Sequence, residues 1–549
     1  MKKFLALFLA LITVLGLCAC TGGGGKETRE LTADDYTEDG RLKISVGVTS
    51  KAWVLGYDSE ENAYTKWIEE TCGVEISFVE FANANDAVTQ ITTSVAAGAK
   101  LPDIILLDTG MNRNLVTTYG ADEYFVNLGE YFADKTGKSK IFWDRVESEQ
   151  LSEVDRQLVL STMFEADGKS VYAIPAFETT VIDYVASMPW ISTTWLDKVG
   201  KDAPENPQEL YDVLKAFKAA GCEYPMLGTN NHHYLGYRVT DWIINFYTYF
   251  NNKNPIQLND GKVEFAFTQD GYREGLKFVR KLIQDGLLTD PYSVQVADVN
   301  LLANPADGVS KVGIVFGHLT LFNIDSVDDV IFEYEHLPTW GNAIMHQPTV
   351  MMSKFITEDC KPGKRDKAFE ILMTMFSEEG SLRHRYGEKG VDWVDADEGA
   401  KSPYGFEAKY KLLQETWGQP GFNRWAVGGG FNYMAEGESA QVDENTHDYV
   451  VKKFDMFKKM IEDFNASAEA NNPETILPIL QGTREEQDQY DIAITNIDDR
   501  WPKAMAEFIQ GTKNINSDAD WKAYLDELDR IGLNDYLKYL QTVYARTQK

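Results

Sequence analysis

Several tryptophans stand beside polar residues in predicted loops, a combination suited to binding carbohydrate. The chain contains 12 Trp and 27 Tyr, and a rigid aromatic ring offers a flat apolar surface to the C–H face of a sugar at little entropic cost. Trp53 follows the first predicted strand, with Ser50, Lys51 and Gly56 as neighbours. Because such neighbours are untypical of a core, we predict that Trp53 contacts a ligand; a core position is the alternative.

Polar side chains that could bind hydroxyl groups are concentrated in the loop after a short predicted strand at 226–228. This loop contains Asn230, Asn231, His232, His233 and Tyr234. Adjacent histidines point apart in an extended chain, and no HxH or HxxxH spacing supplies a third ligand, which argues against a metal site. We therefore predict that Asn230 and His233 donate or accept hydrogen bonds at a ligand.

Three further tryptophans are candidates for ligand contact. Trp242 opens an apolar helix at 242–250, where core packing is an equally good explanation. Trp425 precedes the glycines at 428–430, whose backbone can approach a ligand closely, although a core position fits as well. Trp340 stands where we expect the chain to cross between two lobes.

Four polar residues complete the candidates from position and chemistry. Asn342 lies beside Trp340, and Glu178 with Asp183 brackets another expected crossing. Their oxygens could accept hydroxyl protons, and charge-assisted hydrogen bonds are the stronger kind; a hinge salt bridge is the alternative for the two acids. Asp108 ends a predicted strand, where it could instead cap a helix.

The elements that must position these residues form an α/β pattern. Alternating apolar residues predict strands at 42–48 and 74–78, and an apolar run predicts a third at 104–107. Helical spacing separates them, so the unit is strand, helix, strand, helix, strand with a parallel sheet. In such sheets ligands bind beyond the carboxyl ends of the strands, which here are Thr49, Glu80 and Asp108.

A second α/β region and a helical tail follow. Asn206, Pro207 and Glu209 predict a helix start by capping. Strands are predicted at 226–228, 262–267, 312–316 and 330–334, with a helix at 272–283 between them. In the tail, Thr483 and Glu486 form a capping box, and further helices start at Ser517 and Asn534.

The first twenty residues predict secretion. Two lysines precede an apolar run at 4–15 that is too short to span a bilayer, and the segment ends in Leu17-Cys18-Ala19-Cys20. This ending resembles the lipobox of bacterial lipoproteins, in which the cysteine, here Cys20, is lipidated. Four glycines at 22–25 then begin a flexible tether. An ordinary signal peptide or a buried helix is the alternative.

Composition limits the classes of partner. The chain has 85 acidic and 53 basic residues, a formal net charge of -32, which argues against nucleic acid and anionic membrane surfaces. Cys72, Cys222 and Cys360 are far apart and contain no CxxC pair, so neither a zinc site nor a disulfide framework is indicated. The length after processing predicts two or more lobes.

Four motifs and their order resemble the family 1 extracellular solute-binding proteins of ATP-driven (ABC) importers. The nearest group is the large Gram-positive lipoproteins that include oligosaccharide and alginate binders. The motifs are AGAKLPDI at 97–104, WLDKVG at 195–200, DGKV at 260–263 leading to GLL at 286–288, and YG at 386–387 through GVDW at 390–393. The tail at 483–544 fits too, so the resemblance covers nearly the whole mature chain.

The resemblance implies a periplasmic-binding-protein-like fold of two α/β lobes, each a mostly parallel sheet flanked by helices, with a helical C-terminal tail. It also implies crossings near 177–183, Trp340 and Tyr386, and a cleft tryptophan at Trp393. We divide the chain into a signal peptide (1–19), a lipidated tether (20–40), a first lobe (41–180, returning at 341–386) and a second lobe (181–340 and 387–549).

The implied function is capture of an oligosaccharide and its delivery to ABC permease subunits, without catalysis or a cofactor. The protein would be a monomer, anchored by lipid to the outer face of a Gram-positive cell membrane. A glycoside-active enzyme, a binder of peptides or another solute, and a sensor or adhesin with the same cleft are the alternatives. Paired carboxylates could serve a hydrolase, but the chain has no HExxH, GxSxG, Walker or GxGxxG motif.

Two departures from the family pattern concern metal and ligand. Many relatives carry a calcium loop after the helix that ends Lys-Ala-Phe, but here that position reads KAAGCE at 218–223, without the oxygen ligands calcium needs. The acidic run at 395–399 also fits a calcium loop poorly, so we predict no metal. Lys389 replaces an acid that precedes the cleft tryptophan in relatives, which removes an acid-mediated ligand contact there.

Overall fold

A computed structural model describes most of the chain from residue 29 to residue 547. The stretches outside the description are 51–53, 55, 108–109, 149–152, 178–188, 231–237, 253, 304–310, 318–332, 339, 341–349, 403–406, 414–424, 426–439 and most of 442–481.

The described strands are, in chain order, β1 (Leu42–Thr49), β2 (Val74–Phe81), β3 (Ile104–Leu106), β4 (Ile174–Phe177), β5 (Pro189–Ser192), β6 (Tyr224–Leu227), β7 (Ile256–Asn259), β8 (Lys262–Phe265), β9 (Val312–Phe316), β10 (Tyr334–His336), β11 (Val350–Ile356), β12 (Trp393–Asp395) and β13 (Tyr410–Leu412). The α-helices are α1 (Ala63–Cys72), α2 (Ala84–Ala97), α3 (Arg113–Ala121), α4 (Gly129–Ala133), α5 (Lys140–Val146), α6 (Glu153–Met163), α7 (Thr193–Val199), α8 (Pro207–Ala219), α9 (Val239–Ile244), α10 (Asp270–Gln284), α11 (Val296–Ala303), α12 (Pro362–Phe376), α13 (Glu378–Tyr386), α14 (Arg484–Gln510), α15 (Asp518–Ile531) and α16 (Leu533–Thr547). Short 3-10 helices lie at Ala33–Asp35 and Ala266–Thr268.

The first sheet has the strand order β2-β1-β3-β11-β4. β1 pairs in parallel with β2 and β3, whereas β11 is antiparallel to both β3 and β4. Ile44, Val46 and Val48 are buried, as the alternation predicted. Helices on both faces complete two hydrophobic clusters, of which the larger, the first-lobe core, includes residues of α1, α5 and α12.

The second sheet has the order β10-β5-β9-β6. β6 and β9 are parallel, and β5 is antiparallel to β9 and β10. The α8 helix begins as predicted, because the Asn206 side chain accepts the backbone N–H groups of Gln208 and Glu209. Leu210, Val213 and Phe217 form the buried face of this helix in the second-lobe core.

The C-terminal helices pack on the second lobe. The capping box of Thr483 and Glu486 starts α14, and Ser517 caps α15. Trp501, Phe508 and Tyr524 from these helices join the second-lobe core. No helix in the described part of the chain is both long and apolar enough to cross a membrane.

The connections between the sheets bring two strand edges together. The chain leaves the first sheet at Phe177, the carboxyl end of β4, and enters the second at Pro189, opposite Phe316 at the carboxyl end of β9. It returns from His336, paired with Trp190 near the start of β5, to Val350, which pairs with Phe177. Both connections therefore join the carboxyl edge of one sheet to the carboxyl edge of the other.

Candidate functional site

The site we describe lies at the carboxyl edge of the second sheet. The loop after β6 contributes Asn230, and the segment after β10 contributes Trp340. The α9 helix, which starts directly after the β6 loop, contributes Trp242 and Asp241. The sequence analysis proposed three of these four residues as ligand contacts, namely Asn230, Trp242 and Trp340. Asp241 was not among its candidates.

Trp340, Trp242 and Phe246 form an aromatic platform. The ring centroid of Trp340 lies 5.4 Å from that of Trp242 and 5.2 Å from that of Phe246. The ring centroids of Trp242 and Phe246 are 4.5 Å apart. Trp242 also packs 5.3 Å from Phe316 at the end of β9. Trp340 is partly exposed, whereas Trp242 has no exposed surface.

The burial of Trp242 supports core packing, the alternative to its predicted ligand contact. Its ring belongs to the second-lobe core, so it supports Trp340 from behind instead of stacking on a ligand. The indole Nε1 of Trp242 is a buried donor that has no hydrogen-bond acceptor among the described residues. Buried polar groups in proteins are nearly always hydrogen-bonded.

Asn230 is held in a fixed orientation. Its backbone N–H donates to the Pro291 carbonyl at 2.9 Å, and its Oδ1 accepts the Thr240 hydroxyl at 2.8 Å. The side chain is 3% exposed, and its Nδ2 has no hydrogen-bond acceptor by geometry among the described residues. Burial raises the pKa of the Tyr292 phenol, which the nearby Arg238 guanidinium and the Asn230 amide lower in part. Asn230 therefore lies in the loop after β6 with its amide buried beside Tyr292, and its contact with a ligand stays a prediction.

An ion pair that sequence reasoning missed lies under this loop. Arg238 Nε donates to Asp241 Oδ1 at 3.1 Å, and both side chains are buried. The other carboxylate oxygen of Asp241 accepts the side-chain amide of Asn252. The available signal was the acid in the first turn of α9, where it also complements the helix dipole.

At the carboxyl edge of the first sheet, the described residues are held by hydrogen bonds and by an ion pair. Ser50 donates its backbone N–H to Phe81 at 2.7 Å and its hydroxyl to Glu80 at 2.8 Å. Arg113, at the start of α3, lies 3.4 Å from the Glu165 carboxylate and donates to the Phe164 carbonyl at 2.6 Å. Burial raises the pKa of Glu165 and lowers that of Arg113, while each partner opposes the shift of the other.

Trp425 is a core residue, which corrects its prediction as a ligand contact. It is 0% exposed in the first-lobe core, where its Nε1 donates to the Thr65 hydroxyl at 2.7 Å. Its ring meets Tyr64 and Phe78 edge-on at 5.4 and 5.6 Å. All of these contacts lie in the first lobe, although the sequence-based division assigned 387–549 to the second.

Trp393 lies on a separate two-stranded hairpin formed by β12 and β13. It is 5% exposed, its Nε1 donates to the Gly387 carbonyl at 3.2 Å, and Tyr410 packs edge-on at 5.4 Å. Lys389 lies over the ring at 5.4 Å and pairs with Asp395. The structure therefore does not bring Trp393 to the aromatic platform, and its ring is covered by its own hairpin.

Several predicted site residues lie outside the described part of the chain. They are Cys20, Trp53, Asp108, Glu178, Asp183, His233 and Asn342. Their roles stay predictions.

Residues 218–223 correspond to the position at which the family resemblance places a calcium loop. Lys218, at the end of α8, donates from Nζ to the Asp285 carbonyl at 2.6 Å. In the acidic run after β12, Asp395 pairs with Lys389 and Asp397 with Lys411. Within the described residues, no group of three or more His, Cys, Asp or Glu side chains is arranged to hold a metal ion.

Comparison with known proteins finds a relative that is similar to this chain over the full length of both proteins. No protein-family model matches the chain. It is 23% identical over 585 residues to the fructooligosaccharide ABC transporter substrate-binding protein FusA of Streptococcus pneumoniae, covering 100% of this chain and 98% of that protein. The lipoprotein LipO of Bacillus subtilis is 25% identical over 172 residues, which is 29% of this chain and 32% of LipO.

Similarity to solved structures supports the fold. An extracellular solute-binding protein from Bifidobacterium longum subsp. infantis superimposes with a TM-score of 0.71 at 18% identity, covering 94% of this chain and 100% of that one. The full-length similarity to FusA agrees with the motif resemblance, and the structural similarity supports the two-lobed α/β fold that the resemblance implies.

Proposed function

We propose that this protein is the substrate-binding lipoprotein of an ABC importer, which captures an oligosaccharide between its lobes and delivers it to the permease without chemical change. The observation that carries the proposal is the aromatic platform at the carboxyl edge of the second sheet, the edge from which the chain returns to the first sheet. Trp340 is exposed enough to stack on a sugar and is fixed by Trp242 and Phe246. The substrate named for FusA, a full-length relative, supports the same class of ligand.

The remaining assignments belong to this proposal. The chain passes between the lobes near 180, 340 and 386, and the segment around Trp425 packs on the first lobe. Trp53, Asp108, Glu178, His233 and Asn342 extend the binding surface around Trp340 and Asn230. Cys20 carries the lipid that holds the protein at the outer face of a Gram-positive membrane, for which the Leu-x-Ala-Cys sequence and the similarity to LipO are the support. The protein acts as a monomer.

The test is calorimetric titration of neutral oligosaccharides into wild type and Trp340→Ala. Loss of one stacking face costs on the order of 1.5–3 kcal/mol, so we expect affinity to fall about ten- to a hundredfold. Trp67→Ala is the matched control, because Trp67 is also partly buried but stacks on Tyr64 at 5.6 Å on α1. Equal affinity of folded Trp340→Ala and wild type would contradict the platform, and peptide binding without sugar binding would contradict the ligand class.

A further inference from the structure

The first described residues of the chain, 29–36, are packed onto the first lobe, and we call this segment the clip. Arg29 donates to the backbone carbonyl of Glu358 at 2.8 Å and pairs with the carboxylate of the same residue. Leu31 packs against the first-lobe core. A Cβ atom added at Gly363 would lie 2.7 Å from Leu31, and the three heavy atoms nearest to it all belong to Leu31. The α12 helix therefore has a glycine where Leu31 needs the space.

A buried ion pair holds the end of the clip. Asp35 is 7% exposed, and its carboxylate lies 2.8 Å from Lys361 Nζ and 3.2 Å from Lys364 Nζ. The backbone N–H of Thr32 donates to the same carboxylate at 2.8 Å. Breaking a buried ion pair by removing one partner is strongly unfavourable. Residues 29–36 are accordingly a fixed part of the first lobe.

The clip lies at the edge of the first sheet opposite to the crossing. β11 is antiparallel to β3 and pairs Ile356 with Ile104, so the carboxyl end of β11, which Glu358 and α12 follow, lies at the amino edge of β3. The chain crosses to the second sheet from Phe177, which pairs with Val350 at the other end of β11. Because β1 has eight residues and a strand rises about 3.3 Å per residue, the two edges are about 25 Å apart.

The surface beside the clip is close to neutral, unlike the rest of the chain. Residues 131–147 pack on the first turns of α12, where Lys138 pairs with Asp366 at 2.6 Å and Tyr131 stacks on Phe369 at 4.3 Å. The segments 131–147 and 359–370 together contain eight basic and six acidic residues, whereas the whole chain contains 53 and 85. An anionic surface therefore repels this end less than it repels the rest of the protein.

The predicted lipid anchor joins the chain close to the clip. Eight residues, 21–28, separate Cys20 from Arg29. A chain of this length spans at most about 30 Å when fully extended. The lipid on Cys20 would therefore lie within that distance of Arg29, at the amino edge of the first sheet.

We propose that the amino edge of the first lobe is the membrane-facing end of the protein, and that the clip holds the lipid-anchored tether at this end. The inference rests on the proposed function, because it needs the lipid on Cys20. The opposite edge of the first sheet, from which the chain crosses to the second sheet, then points away from the membrane. Without the clip, the whole stretch 21–41 would separate the lipid from β1, and a longer tether fixes the orientation of the lobe less well.

Limited proteolysis of the full mature chain tests the clip. Cleavage by trypsin after Arg29 should be slow in wild type and at least about tenfold faster in Gly363→Val, because proteolysis follows the population of the open segment. Asp35→Asn should act in the same direction, since it removes the charge that pairs with the two lysines. Asp518→Asn is the matched control, because it removes the 94% exposed partner of Arg273 on α15. Equal cleavage rates in wild type and in both folded clip variants would overturn the inference.

Energy transfer from the protein to acceptor-labelled lipids tests the orientation. The lipidated protein in vesicles carries a donor dye either at Lys138→Cys, beside the start of α12, or at Val79→Cys, near the carboxyl end of β2. Both positions are exposed. The dye should react only there among the described residues, because the free cysteines in that part of the chain are buried, namely Cys72, Cys222 and Cys360.

We expect stronger transfer from position 138 than from position 79 in the otherwise wild-type protein, and a smaller difference when Gly363→Val is added. Equal transfer from both positions in a lipidated protein would overturn the orientation while sparing the proposed function. Absence of lipid on Cys20 by mass spectrometry would overturn the proposed anchor, and the orientation with it.

Discussion

Lys354 is a buried ammonium group without a counter-charge among the described residues. It lies in β11, paired with Leu106 on one side and Ile174 on the other, and has no exposed surface. Its Nζ is 3.3 Å from the Ser353 hydroxyl and 5.2 Å from the centroid of the Phe376 ring. Burial lowers the pKa of Lys354 from 10.5 to about 7.

The lowered pKa of Lys354 determines by how much this residue changes the free energy of unfolding, and in which direction that free energy changes with pH. Since a tenfold change in a protonation equilibrium is about 1.4 kcal/mol, lowering the pKa from 10.5 to about 7 corresponds to a cost on the order of 3–5 kcal/mol for the buried ammonium. Between these values the unfolded chain binds the proton more tightly, so stability rises with pH in this window. Below pH 7 the full cost is present.

We therefore expect Lys354→Met to stabilise the first lobe. Methionine has a similar length and no charge, so the free energy of unfolding should increase by a few kcal/mol at pH 6. The gain should shrink to about 1 kcal/mol at about pH 9.5, where the folded wild type holds a neutral amine. Denaturant unfolding at several pH values, followed by a probe of the first lobe, measures both numbers.

Lys364→Met is the matched control, for which we expect the free energy of unfolding to change in the opposite direction. Lys364 is also buried, but its Nζ lies 3.2 Å from Asp35 and 3.7 Å from Asp103, so its removal leaves carboxylates uncompensated and should destabilise the fold. A stabilisation by Lys354→Met that is the same at every pH, or a loss of stability at pH 6, would refute the reasoning.

Four other outcomes are expected. Cys20→Ala should move the protein from the membrane fraction to the medium, and retention in the membrane would contradict the lipobox interpretation. Chelation should leave the melting temperature unchanged, because KAAGCE at 218–223 lacks the oxygen ligands that calcium needs; a drop that calcium restores would reveal a site. Trp425→Ala should lower the free energy of unfolding by about 3–5 kcal/mol, since it empties a core position, and a folded variant with normal stability would contradict this. A bound oligosaccharide should remain intact on prolonged incubation; release of reducing ends, abolished by one carboxylate substitution, would indicate an enzyme.

Local signals explain what the sequence could predict. The cap at Asn206, the capping box at Thr483 and the alternation of β1 depend on residues close in sequence, and all three are present. The loop of Asn230 was placed by the same kind of argument, since it follows a strand of the sheet.

Long-range packing explains what the sequence could not predict. Trp425 donates to Thr65, 360 residues earlier in the chain, and no local pattern distinguishes this contact from a ligand contact. β11 was not predicted either, because its sequence VMMSKFI places a lysine among apolar residues. The role of Trp242 as a support for Trp340 likewise depends on two segments about a hundred residues apart.

The reversed strands give the cleft its geometry. β5 and β11 are the first strands after the chain changes sheets, and both run antiparallel to their neighbours β9 and β3. A chain that enters a sheet at its carboxyl edge must run against strands that end there, so reversal of both entry strands is the consequence of connecting carboxyl edge to carboxyl edge. Parallel α/β sheets bind ligands at that edge, and Trp340 stands between β10 and the return to β11. Because it packs on Trp242 and Phe246, its ring stays fixed to the second lobe.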